Sequence, residues 1–126
     1  MTDLTKPNHL DSRLHDLDEQ IAEATTAAEF RDLEGSALDL AGEWRIHFHG
    51  LIDALAAHRM VDARHRACAD MVRLRVELAA AVQYAEARAL EASDRVEVCR
   101  HHRELKERSP MERAYQSFLA EEAAGG

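Results

Sequence analysis

The sequence predicts an all-α chain, a helical bundle of three to four helices with one long helix, completed by oligomerisation. Apolar residues recur at spacings of three and four over most of the length, which is the pattern of an amphipathic helix face. Glycine and proline, the strongest helix breakers, number only five and two in 126 residues, and neither occurs between Leu51 and Arg108. Charged residues make up 32% of the chain and aromatic residues 5%, a composition suited to solvated helices around a core of small side chains.

Residues 1–7 end at Pro7 without periodicity and read as a flexible N-terminal arm, 8–122 as a single helical domain, and 123–126 as a frayed tail. A first helix over 8–25 carries Leu10, Leu14, Leu17, Ile21, Ala24 and Ala28 on one face. Asn8 is placed to cap it, and Asp11 sits near the positive end of its dipole.

Thr26-Ala-Ala-Glu29 has the form of a capping box, and Ser36-Ala-Leu-Asp39 after Gly35 is a weaker version, so breaks are expected near 25 and 35. The next stripe runs through Phe30, Leu33, Ala37, Leu40, Ala41, Trp44, Phe48, Leu51 and Leu55, giving one or two helices between 27 and 58. Gly42 and Gly50 each weaken it by about 1 kcal/mol relative to alanine.

The longest helix is predicted from about 62 to 107, with the preceding turn at Arg59–Asp62. Its stripe of Ala67, Met71, Leu74, Leu78, Ala81 and Ala85 is followed by Ala89, Val96 and Cys99, read as a shifted face. Such a helix is about 69 Å long, more than a compact chain of this size spans. Ser109-Pro110-Met111-Glu112 combines a capping serine, a first-turn proline and a glutamate three residues after the cap, predicting a short helix over 110–122.

The net charge is −8, and residues 1–43 hold eleven acidic residues against Lys6, Arg13 and Arg31. That region suits a solvated surface or a basic partner and makes nucleic-acid binding by the isolated chain unfavourable. Two cysteines without Cys-x-x-Cys spacing do not form a disulfide framework. No apolar segment resembles a leader or a membrane span, so a cytoplasmic protein without membrane contact is expected.

Three functional readings follow. The first is a non-enzymatic interaction or assembly protein acting through apolar helix faces, with Trp44, Phe48, Met71, Leu74, Leu78, Tyr115 and Phe118 as interface residues. Its partner is a second copy or another helical protein, and no cofactor is needed. The second is a metal-binding bundle. His58, Asp62 and His65 are spaced four and three apart, and Cys99 and His102 three apart, so two helices offer imidazole, carboxylate and thiolate to Zn or Fe. The paired Glu-x-x-His motifs of di-iron bundles are absent, Asp62-x-x-His65 being the nearest approach. The third is a small nucleic-acid-associated subunit of a larger complex, using the seven-spaced Arg59, Arg66 and Arg73. Catalysis finds little support, since neither a Gly-rich phosphate loop nor a Gly-x-Ser-x-Gly motif is present.

Overall fold

The computed structural model describes residues 7–64 and 69–125. Three helices account for nearly all of them: α1 (Asn8–Glu23), α2 (Ala27–Arg64) and α3 (Ala69–Gly125). No strand occurs among the described residues. Residues 1–6 of the arm expected over 1–7 lie outside them.

The start of α1 differs from the sequence reading. Asn8 is already helical, and its side chain caps nothing. The Pro7 carbonyl instead accepts from the Leu10 and Asp11 amides at 3.0 and 3.1 Å. Proline has no amide hydrogen to leave unsatisfied at this position.

Thr26 does open α2, through one of the two backbone bonds of the predicted box. The Thr26 hydroxyl oxygen accepts the Glu29 amide at 3.2 Å, and the hydroxyl donates to the Glu29 carboxylate at 3.0 Å. The Phe30 amide bonds the Thr26 carbonyl. The break expected near 35 is absent, because α2 runs through Gly35 with a helical backbone. Packing of Leu33, Ala37 and Leu40 on either side outweighs one glycine.

α2 also continues past Arg59–Asp62 to Arg64, so the chain reverses later than predicted. Contacts then rise along one helix as they fall along the other. Arg31 donates to Glu107 at 2.8 Å and Arg45 to Ser93 at 3.3 Å, which makes α2 and α3 an antiparallel hairpin.

α1 lies parallel to α3. The Tyr84 hydroxyl donates to Asp11 at 2.6 Å, and Arg95 Nε donates to Asp18 at 2.5 Å. Arg13 of α1 pairs with Glu43 of α2.

The buried face of α3 is a single stripe through Leu78, Ala81, Ala85, Ala89, Ala92, Val96 and Cys99. The shift of face expected after Ala85 does not occur, because spacings alternating between three and four hold one direction on a helix. Ala37 and Ala41 answer from α2, with Leu40, Trp44 and Leu51 filling the space beside them. Trp44 is fully buried, edge-on to the Tyr84 ring at 6.1 Å.

No new helix begins at Ser109. α3 passes through Ser109-Pro110 and ends at Gly125, 57 residues and about 86 Å from its start. Proline removes one backbone bond and crowds the preceding turn. A break there would gain stability only if the following segment docked, and Tyr115 and Phe118 remain exposed.

Two stability predictions follow from this packing. Trp44→Ala should destabilise the chain by about 3–5 kcal/mol, read as a lower urea midpoint. A methyl group built on Gly35 or Gly50 meets no atom within 4 Å, so alanine at either should raise stability by about 0.5–1 kcal/mol in thermal unfolding.

Candidate interaction surface

The hairpin is zipped by side chains flanking the alanine stripe. Glu34 of α2, with only 12% of its side chain exposed, accepts from Arg100 Nε and Arg103 Nε of α3, both at 3.0 Å. Burial works to raise the Glu34 pKa, but the two guanidinium hydrogen bonds overcome it and hold the carboxyl below its ordinary value. Close by, burial and the Glu34 charge push the Cys99 thiol up, leaving it a small apolar core group. At the start of α1, Arg88 Nε donates to the Tyr84 hydroxyl at 2.9 Å and lies 3.1 Å from Asp11. Burial and the Asp11 hydrogen bond raise the Tyr84 pKa. Burial and the neighbouring His9 lower that of His47.

Sequence reasoning did not single out Glu34, Asp18 or Tyr84, and read Asp11 only as a favourable charge at the start of α1. Their signal is the position of charge beside an apolar stripe. Three acidic residues of the first third, Asp11, Asp18 and Glu34, thus find basic partners in α3 of the same chain.

These pairs set how far α1 reaches. With Asp11 level with Tyr84 and Asp18 with Arg95, α1 covers α3 from about residue 81 to about residue 100. Two stretches of the hairpin therefore lack a third helix. Towards the reversal, Ile52, Met60, Val72, Leu74 and Val76 are exposed, Val76 to 62%. At the other end, continuing the α2–α3 register places Ala27 level with about residue 111, so α3 projects beyond α2. Tyr115, Phe118 and Leu119 on this overhang are 64%, 55% and 45% exposed.

The residues expected at an interface divide accordingly. Leu74, Tyr115 and Phe118 are exposed, Met71 and Phe48 are half-buried, and Trp44 and Leu78 belong to the core of the chain itself.

The two halves of the expected metal site are not brought together. His58 lies near the closed end of the hairpin, whereas His102 stacks on Phe30 at 5.1 Å near the open end, with Cys99 one turn away. About 30 Å of helix separates the two levels. Asp62 is in the last turn of α2 and His65 lies outside the described residues, among which no three metal-ligating side chains cluster. His58 Nδ1 is buried without a hydrogen-bond partner.

The arginine series does not form one helical stripe either, because the reversal puts Arg59 on α2 and Arg73 on α3. Arg73 pairs with Asp70 at 2.8 Å, and Arg66 lies outside the described residues. No described helix is long and apolar enough to cross a membrane.

Comparison of the chain with models of known families, with curated proteins and with solved structures finds no match.

The Glu34 clamp generates a pH prediction. A carboxyl whose folded pKa lies below its ordinary 4.5 stabilises the fold above that value, and the contribution is lost as pH falls through the folded pKa. Urea midpoints should therefore drop on acidification below the ordinary carboxylate range, and less steeply in Glu34→Gln. At neutral pH that variant should lose about 1.5–3 kcal/mol, since two hydrogen bonds to a charged group are weakened.

Proposed function

We propose that this chain is a non-enzymatic helical assembly protein that associates through the apolar surface of the α2–α3 hairpin beyond the reach of α1. The observation supporting this reading is the pair of uncovered stretches, one around Leu74 and Val76, the other around Tyr115 and Phe118.

Surface area supports the same reading. The chain exposes 8902 Å², whereas a compact monomer of 14.2 kDa exposes about 6,800 Å². The excess of roughly 2,100 Å² is larger than the ~800 Å² that one partner contributes to a standard interface. Helices this long have no route to enclosing their outer apolar residues within one chain. Exposed valine, leucine and aromatic side chains grouped on such helices are the features that partner helices cover.

Sedimentation equilibrium of the purified chain across the micromolar range is the direct test. The expected outcome is a mass that rises with concentration to at least a dimer. Leu74→Ser combined with Phe118→Ser, one change in each stretch, should lower the associated fraction while helix content by circular dichroism stays unchanged. Both side chains are exposed, so the fold itself should shift by no more than about 0.5 kcal/mol. A monomer mass at every concentration would reject the reading.

A further inference from the structure

We infer that residues 1–6 continue the line of α1 across the closed end of the hairpin, with Leu4 seated against Leu74 and Lys6 paired with Glu77. The contact lies within one chain and stands independently of the assembly reading.

Its direction follows from α1. Because α1 runs parallel to α3, its first residue points towards the reversal, and the buried Pro7 delivers the preceding chain to that side of the hairpin. The groove that holds α1 continues there as well. Leu40 of α2 lines a cleft with Leu17 and Gln20 of α1, and His58 is eighteen residues further along, five turns, on the same face. Arg95 of α3 binds Asp18 of α1, and Glu77 is eighteen residues before it, again on the same face. Leu55 and Leu78 are buried beneath this stretch, and Leu74 is open to 44%. His58 Nδ1 is buried there without a hydrogen-bond partner.

Distance sets the register. Asp11 is held by both Tyr84 and Arg88, at the level of about residue 86 of α3. Three helical steps of about 1.5 Å separate it from Asn8. Proline disfavours helix at the residue before it, and extended backbone spans about 3.3 Å per residue. Lys6 then lies about 11 Å below Asp11, level with about residue 79 of α3, and Leu4 about 18 Å below, level with about residue 74.

Glu77 is exposed and has no partner among the described residues, and it falls within reach of a lysine at that level. One register therefore brings the cation of the arm to an unpaired carboxylate and its leucine to the exposed leucine of the inner stripe. Along α1, acidic side chains meet bases of α3; at this end the signs are exchanged. A seated arm occupies the Leu74 side of the closed end, so a partner helix has to displace it.

The test is carbodiimide coupling of the full chain, which joins a lysine amine to a carboxylate in contact with it, followed by tryptic mass spectrometry of the monomer band. The expected link is Lys6 to Glu77, in preference to Glu43, Asp53 and Asp70. Leu4→Ser keeps both reacting groups and should lower the yield of that link by at least about fivefold. Lys6→Glu combined with Glu77→Lys should restore a link between the two positions, with amine and carboxylate exchanged.

Coupling of Lys6 to several carboxylates without preference overturns the seated arm, as does a Glu77 link whose yield Leu4→Ser leaves unchanged. A link found only in a dimer band assigns the groove to the arm of a second copy and overturns the contact within one chain.

Discussion

The close approach of α2 and α3 is the constraint on which the rest of the structure depends. Ala37 and Ala41 on one helix and Ala81, Ala85, Ala89 and Ala92 on the other are all buried. Small side chains let two helix axes come near, and the many weak contacts along a long seam then substitute for a thick aliphatic core. Bulk enters beside the seam rather than in it, where Trp44, Leu40 and Leu51 fill the flank and α1 adds Leu10, Leu14 and Leu17. Two buried aromatic residues, Phe30 and Trp44, are enough for such a core, because a third helix packs against only part of the hairpin.

An alanine seam is nearly featureless along its length, so it holds helices together without fixing where one stops against the other. Polar pairs on its edges supply that register. Glu34 seats between Arg100 and Arg103, Arg31 reaches Glu107, and Asp11 and Asp18 bind Tyr84 and Arg95. Most of these groups are partly exposed and individually weak. Glu34 is the exception, largely withdrawn from water and accepting two charged donors. One alignment satisfies all of them, and that alignment leaves the carboxyl-terminal part of α3 without a neighbour. The alignment that makes the hairpin orderly therefore also leaves Tyr115, Phe118 and Leu119 exposed.

The arrangement separates residues that the sequence spacing groups together. Histidines at 58 and 102 sit at different heights of the hairpin, and arginines at 59 and 73 sit on different helices. Heptad-spaced residues share a face only while they share a helix.

The sequence by itself determined the helical class, the break near residue 25, and most of the stripe positions that turn inward, Ala28 and Leu74 being exposed exceptions. Those properties depend on spacing and on local bonds such as the Thr26–Glu29 box, which form within one turn of the chain. Tertiary structure decided the rest. Whether Gly35 or Pro110 ends a helix depends on what packs beside it, and neither local signal contains that information. The position of the reversal, the meeting of Glu34 with two arginines more than sixty positions away, and the length of the overhang all follow from how far α2 and α1 extend along α3. Local physics made the helices, and the relative lengths of three helices, fixed only once they were laid side by side, decided which apolar faces remained uncovered.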